Sequence, residues 1–344
     1  MVGTDVDPSL TARKERDSSM APIILIGISA GAATALLFAS VASGSPLSVL
    51  LFYLAPLPIL IAALGWSHLA ALIAAVVASA SLAAIFGSFF FIAFLIGVGL
   101  PAWWLGYLAL LARPVTNGAG TPDGLEWYPV GFLVVWAAML SAAIVIAAIL
   151  NFGTDQQSFQ AALRTGLERM FRIHAGGGGA TPPGLPDRSK LIDFMVVALP
   201  PAAAVLTTIT STVNLWLADK IVRVSGRGRR PQPELSEMQF PNYAPMLAAV
   251  AIAGSFLPGL PGIASGVLGA AMLIAYTVMG FAVLHSLTRG MNARPFMLGS
   301  VYVAVMVFGW PALIVALLGL AEAAFDFRGR AARKRGPPPP PSIT

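Results

Sequence analysis

Four polar side chains share one face of a predicted apolar helix. They recur at positions i, i+3, i+4 and i+7 and are Thr207, Thr210, Ser211 and Asn214. Hydroxyl and amide groups at membrane depth have two common uses. They hydrogen-bond a neighbouring helix, or they line the polar wall of a cavity that binds a solute. Both interpretations stay open from the sequence, and the second makes this stripe the candidate substrate-binding site.

Two prolines in another apolar segment complete that candidate site. Pro56 and Pro58 lie near the middle of the run 47–65. Proline has no amide hydrogen and therefore frees backbone carbonyls, which neighbouring helices or cavity groups must satisfy at membrane depth. The pair Pro200-Pro201, about two turns before the stripe, predicts a kink in the helix that carries it. Pro56 and Pro58 are therefore expected to shape the cavity.

The residue types needed for catalysis are sparse. The sequence has no cysteine and three histidines, His68, His174 and His285, none at metal-ligand spacing from a second ligand type. A Ser265–His285 nucleophile and base fails, because twenty residues along one helix separate the side chains by about 30 Å. There is no Walker-type phosphate loop. We therefore expect no enzyme activity, no cofactor, no metal site and no ATPase in the chain itself.

Long runs without Asp, Glu, Lys or Arg dominate the chain and must position these residues. They cover 22–65, 69–111, 129–151, 195–217, 244–288 and 296–321. About twenty apolar residues cross the hydrocarbon core as a helix, so several runs hold two crossings. The predicted fold is all-α, a polytopic transmembrane helical bundle. The lack of charge inside the runs argues against ion coupling through a buried carboxylate.

The turns between these runs predict about eight crossings. The first six crossings are 22–42, 47–65, 69–86, 89–111, 129–151 and 191–217. The seventh is the longer piece of the block 244–288, and the eighth is 296–321. Residues 258–262, Pro-Gly-Leu-Pro-Gly, divide the block 244–288 into pieces of about fourteen and twenty-six residues. Fourteen helical residues rise about 21 Å, less than a core of roughly 30 Å. Residues 244–257 are therefore predicted to form a half-span or re-entrant helix.

The distribution of basic residues orients these segments. Eight crossings with a cytoplasmic N-terminus place fourteen Lys and Arg inside and seven outside, whereas nine crossings give eleven and ten. The positive-inside rule favours eight. The expected location is a bacterial inner membrane, multi-pass, with both termini in the cytoplasm. The net charge of +6 is explained by this placement beside lipid headgroups, and no nucleic-acid partner is expected.

Polar segments separate two predicted membrane blocks, 22–151 and 191–325. Residues 1–21 are predicted to be a disordered tail or an extension upstream of a start at Met20. Residues 155–174 predict an amphipathic helix, either lying on the bilayer or covering a cavity as a lid, and a Gly- and Pro-rich tether follows within 152–190. Residues 326–344 predict a basic, proline-rich disordered tail.

Several short motifs resemble YybS-like integral membrane proteins. They are Leu54-Ala55-Pro56-Leu57-Pro58-Ile59, Gly99-Leu100-Pro101-Ala102-Trp103-Trp104-Leu105-Gly106, Glu126-Trp127-Tyr128-Pro129 and Met279-Gly280-Phe281-Ala282-Val283-Leu284-His285. The resemblance covers residues 20 to about 325. That family is a multi-span group without an established activity. It is distantly similar to the substrate-capturing membrane subunits of energy-coupling-factor vitamin transporters, which have six spans and no ATPase of their own.

This resemblance implies a small-solute binding or transport subunit that works with an energy-coupling partner. The alternative is a scaffold or assembly factor that does not transport. Its surfaces would be the small-residue ridges and the basic segment 220–230. The ridges are Gly27 with Gly31, and Gly262 with Gly266 and Ala270. The oligomeric state and the solute do not follow from the sequence.

Overall fold

The computed structural model describes residues 8–116, 122–174, 187–232, 234 and 238–335. Most of the predicted tether, the start of the N-terminal tail and the polyproline end lie outside these residues. The described chain is almost entirely helical, with one two-stranded antiparallel hairpin, so the predicted all-α membrane fold is confirmed. It divides into two compact units. The first unit joins residues 1–128 to 210–232, and the second joins 129–209 to 233–344.

The first unit contains the first four predicted crossings. Its helices are α1 (Pro8–Ala39), α2 (Pro46–Tyr53), α3 (Leu57–Gly65), α4 (His68–Phe86), α5 (Phe89–Phe94) and α6 (Leu100–Ala109), and its strands are β1 (Ala112–Thr116) and β2 (Pro122–Trp127). A π-helical turn, Leu95–Gly99, joins α5 to α6. The predicted turns are present: Ser45 caps α2 and Ser67 caps α4, each hydroxyl accepting a backbone amide hydrogen.

Helix α1 also includes residues that the sequence assigned to a disordered tail. The structure begins the helix at Pro8 and continues it through Pro22. The segment 11–18 is rich in Lys, Glu and Arg, which are good helix formers, and no breaker stands between the two prolines. The structure thus continues the helix of the first crossing back to Pro8, and the predicted division at residue 21 stays a prediction.

The ridge formed by Gly27 and Gly31 packs α1 directly against α4. A Cβ added at Gly27 would lie 2.7 Å from Cβ of Ile73, and one added at Gly31 would lie 2.7 Å from the Ala74 carbonyl oxygen. These are distances that a side chain cannot occupy, so the two helices touch through their backbones. The predicted packing role of this ridge is confirmed, and the contact lies inside the chain.

The second unit is built around one long apolar helix, α11. Its helices are α7 (Val130–Phe152), α8 (Gln156–His174), the first part of α9 (Arg188–Val224), α10 (Ala244–Gly254), α11 (Gly259–Leu287), α12 (Arg294–Phe308), α13 (Pro311–Phe325) and α14 (Phe327–Arg335). The buried core lies mainly between α7, α10, α11 and α13. Helix α9 runs through Pro200 and Pro201 without interruption and contributes to both units.

The amphipathic helix α8 uses its apolar face against the protein. Phe159 and Leu167 are buried, and Leu167 packs with Ile192 and Val196 at the start of α9. An ion pair between Arg164 and Asp193 joins the same two helices. Most of the face that would lie on a bilayer is thus covered by α7 and α9, which favours a fixed cover of the bundle over a free interfacial helix.

Glycines also set the contact between α11 and α13. A Cβ at Gly280 would collide with the Val315 carbonyl oxygen, and one at Gly319 would collide with the Tyr276 carbonyl oxygen. The Thr277 hydroxyl donates to the Ala312 carbonyl oxygen at 3.3 Å across the same contact. The other predicted ridge serves the α10–α11 turn, because Gly262 abuts the Leu257 carbonyl.

A buried ion pair anchors the C-terminal segment. Arg328 Nε lies 2.7 Å from Oε1 of Glu322, and both side chains are largely buried. Glu322 also accepts the Phe327 amide hydrogen and so caps α14, while Arg328 donates to the Met238 carbonyl oxygen at 2.7 Å. Residues Phe327–Arg335 form helix α14, and the predicted division at residue 326 stays a prediction.

Seven segments are long and apolar enough to cross a membrane, and three apolar helices, α10, α12 and α13, are shorter. The predicted short helix at 244–257 is present as α10. The predicted last crossing, 296–321, is divided at Gly309, which has a positive φ of 72°. Each resulting helix has fifteen residues and rises about 22 Å, less than the core thickness. No charged residue lies within 296–321, so the distribution of charges did not predict this break.

An ion pair bears on the sidedness of residues 289–294. Arg289 Nη2 lies 3.0 Å from Oε2 of Glu234, and Glu234 follows Arg230 by only four residues. Four residues cannot cross a membrane, so the pair favours one face for Arg289 and the basic segment 220–230. The eight-crossing interpretation places Arg289 and Arg294 on the opposite face. The sidedness of these residues stays a prediction, and the ion pair gives it a direct test.

The ion pair between Arg289 and Glu234 predicts the labelling of single cysteines in this cysteine-free chain. Asn292→Cys should react with a membrane-impermeant maleimide from the same side as Gln232→Cys. Gln157→Cys, after α7, should react from the other side. The measurement is labelling of intact and opened vesicles. If Asn292→Cys instead reacts from the same side as Gln157→Cys, the eight-crossing orientation is supported and the shared face is contradicted.

The α11–α13 contact predicts a large difference between two glycines. Gly280→Ala places a methyl group on the Val315 carbonyl and should lower stability by about 1–3 kcal/mol. Gly299→Ala, in α12, meets no atom within 4 Å and should be neutral or stabilising by up to about 1 kcal/mol. Thermal unfolding in detergent measures both. Equal midpoints for the two variants would contradict the close contact.

Candidate functional site

A backbone carbonyl without a partner in its own helix marks the candidate site. Helix α2 ends at Tyr53, and the residue three positions on, Pro56, has no amide hydrogen to donate back. The next possible donor, the Leu57 amide, bonds to the Leu54 carbonyl oxygen at 3.0 Å instead. The Tyr53 carbonyl oxygen is therefore left to find a donor elsewhere, as the proline pattern predicted for this run.

Asn214 supplies that donor from 161 residues away. Its Nδ2 donates to the Tyr53 carbonyl oxygen at 2.8 Å and to the Thr210 carbonyl oxygen at 2.8 Å. Two acceptors on the same side of the amide fix its orientation, with the nitrogen towards both. The side chain is 2% exposed. Asn214 thus ties α9 to the break between α2 and α3 inside the first unit.

The other atom of the same amide has no partner. Among the residues that the structure describes, none donates a hydrogen bond to the buried Asn214 Oδ1 atom. A buried amide oxygen without a donor costs about 1–3 kcal/mol. Because Nδ2 already makes two bonds, Oδ1 is the acceptor that a bound molecule could use.

Aromatic rings cluster around α2, the helix whose last residue supplies the Tyr53 carbonyl. The Tyr53 ring packs edge-on against Phe52 with 5.4 Å between centroids, and Phe38 lies 4.8 Å from Phe52 and 5.0 Å from Phe94. We call this the Asn214 node: the amide, the Tyr53 carbonyl and these rings. None of its members is charged. It combines one free hydrogen-bond acceptor with an aromatic cluster on the helix bound to it, which suits a neutral molecule with an N–H or O–H group.

The structure joins only part of the predicted stripe to this node. Thr210 contributes its carbonyl, and Ser211 lies half-buried between Thr210 and Asn214. The Thr207 hydroxyl donates to the Ala203 carbonyl oxygen of its own helix at 2.8 Å, and Thr207 belongs to the second unit. Its hydroxyl hydrogen is therefore already used within α9.

The two prolines have different parts in the site. Pro56 creates the free Tyr53 carbonyl, whereas Pro58 lies in the first turn of α3, where a missing amide hydrogen costs little. Sequence reasoning did not identify Tyr53 as a site residue. Its position three residues before a proline in an apolar run was the available signal.

Catalytic and metal-binding groups do not assemble around the node. Within the described residues, no group of three or more His, Cys, Asp or Glu could hold a metal ion. His285 Nδ1 lies 2.9 Å from the Phe281 carbonyl oxygen of its own helix, and Ser265 packs against Gly254. The expected absence of an enzyme activity stays a prediction.

Comparison with known proteins identifies the family. Neither the curated proteins nor the solved structures contain a match to this chain. One family model, described as "Predicted membrane protein (DUF2232)", matches residues 32–322. This match covers most of the chain and agrees with the resemblance to YybS-like proteins. The protein is a multi-pass membrane protein that belongs to the DUF2232 family.

Proposed function

We propose that the protein binds a small, uncharged or amphipathic solute at the Asn214 node and serves as a transport subunit. The observation that carries this proposal is the buried Oδ1 of Asn214, an acceptor without a donor in the described chain. A solute N–H or O–H group would remove the cost of that unpaired oxygen, and the rings of Phe52 and Tyr53 would contact its apolar part.

The neutrality of the node selects the class of solute. A charged ligand would require a counter-charge at membrane depth, and the node contains none. The most buried ion pair among the described residues, Glu322 with Arg328, is in the second unit and is already hydrogen-bonded. A neutral solute with a donor group and an aromatic or apolar body is therefore favoured.

Transport would require a second protein. The sequence has no ATP-binding loop, and no charge inside the predicted crossings offers ion coupling. An energy-coupling partner in a bacterial inner membrane, as the family resemblance implies, would supply the driving force. The scaffold alternative is less favoured, because the ridge at Gly27 and Gly31 and the one at Gly262 are occupied within the chain.

A double-mutant cycle separates the structural and binding roles of Asn214. Asn214→Ala should destabilise the protein by about 1–3 kcal/mol, because the Tyr53 carbonyl loses its donor. Pro56→Ala restores a backbone N–H near that carbonyl, so the cost of Asn214→Ala should shrink in the Pro56→Ala background. Solute binding should be lost in both Asn214→Ala proteins, because neither retains Oδ1.

The measurement is the unfolding midpoint in detergent with neutral, donor-bearing aromatic probes, riboflavin and pyridoxine. A probe at a hundred times its Kd stabilises by about 2.7 kcal/mol, which raises the midpoint by several degrees. Thr208→Val is the control, since its buried hydroxyl donates to Ala204 on the same helix, away from the node. A probe that stabilises wild type and Asn214→Ala equally would refute the site.

A further inference from the structure

The end of α9 is shaped to direct its basic residues back towards the first unit. The Gly226 amide donates to the Arg223 carbonyl oxygen and the Arg227 amide to the Val222 carbonyl oxygen, which is the bond pattern of a Schellman cap. Gly226 has a φ of 71°, a conformation that favours glycine. The cap reverses the chain at that point, so that Arg227 and the residues after it fold back.

Arg227 lies over an aromatic ring. Its guanidinium carbon is 4.5 Å from the centroid of Trp66, which stands in the turn between α3 and α4. The preceding residue, Gly65, faces Val222, because a Cβ added at Gly65 would meet the Val222 side chain at 3.6 Å, an ordinary van der Waals distance. The stack fixes the plane of the guanidinium and leaves its edge N–H groups free to donate.

Arg230 is held by a helix end. Its Nη1 donates to the Ala109 carbonyl oxygen at 3.4 Å, at the C-terminus of α6. The side chain is half-buried. This burial lowers the pKa of Arg230, and the positive charge of nearby Arg223 lowers it further. Arg223 itself pairs with Asp219. In the described part of the chain, no carboxylate lies within ion-pair distance of Arg227 or Arg230.

We propose that Trp66, Arg227 and Arg230 form a binding site for the phosphate of an anionic lipid headgroup. Both guanidinium groups are positioned by neutral partners, a ring and a carbonyl, so their charge is uncompensated and their remaining N–H groups match a phosphate. The three residues come from the ends of apolar segments, α3 and α9, where headgroups lie. The site is independent of the solute-binding proposal.

A lipid fits this position better than other phosphate sources. Free phosphate gains nothing from the adjacent apolar helices, whereas a lipid also places its acyl chains along them. A nucleic acid would need a longer basic surface, and this cluster occupies one short segment. Inorganic phosphate and a short RNA are therefore included as competitors, so that the experiment distinguishes a lipid from these two ligands.

The test uses the full-length protein in nanodiscs of phosphatidylcholine containing a minor fraction of phosphatidylglycerol. Retained phosphatidylglycerol is counted by native mass spectrometry. Arg227→Gln and Arg230→Gln should each lower its affinity about ten- to a hundredfold through loss of charge-assisted hydrogen bonds. Arg229→Gln is the matched control: it is exposed, in the same segment, and should change affinity no more than about fivefold by long-range attraction.

Two further variants keep the result interpretable if a glutamine variant unfolds. Arg227→Lys preserves the charge but not the planar fork and should still weaken binding, whereas Trp66→Phe preserves a ring and should bind nearly as wild type. Equal losses for Arg229→Gln and Arg227→Gln, or full binding by Arg227→Lys, would overturn the site. So would displacement of the lipid by inorganic phosphate or by a short single-stranded RNA at matched phosphate concentration.

Discussion

An unpaired backbone carbonyl at membrane depth is the constraint on which the polar part of the first unit depends. Pro56 withholds an amide hydrogen, the Tyr53 carbonyl is left without a donor, and lipid offers none. The Asn214 amide nitrogen donates to that carbonyl oxygen and so ties α9 to the break between α2 and α3. The same amide must then bury its own oxygen. One proline thus explains both the bond that holds the helices and the acceptor that remains for a solute.

Elsewhere the helices are held together by close approach of their backbones. Gly280 and Gly319 let the backbones of α11 and α13 touch, and Gly27 and Gly31 do so for α1 and α4. In lipid there is little hydrophobic gain from joining two apolar helices, so packing at short distance and a few hydrogen bonds must hold them. The buried pair of Glu322 and Arg328 has a different purpose, because it joins α13, α14 and the Met238 carbonyl at one point.

Local pattern predicted the helices well and long-range pairing poorly. The charge-free runs correspond to α1 through α7, α9 and α11, since apolar length alone determines such segments. The division of 296–321 at Gly309 escaped prediction, because a single glycine in an apolar run is common in membrane helices. The sequence showed the Asn214 amide and the Pro56 break separately. It could not show that they meet, since nothing local relates residues 161 positions apart.

Helix α9 connects these features. Asn214 and the last residue of the helix, Val224, are ten residues apart, so the polar node lies about 15 Å along the axis from the helix end that the basic cluster follows. Arg227 on Trp66 and Arg230 on the Ala109 carbonyl hold the end of α9 against α3 and α6. Together with the bond from the Asn214 nitrogen to the Tyr53 carbonyl oxygen, these contacts hold α9 to the other helices of the first unit at two separate levels.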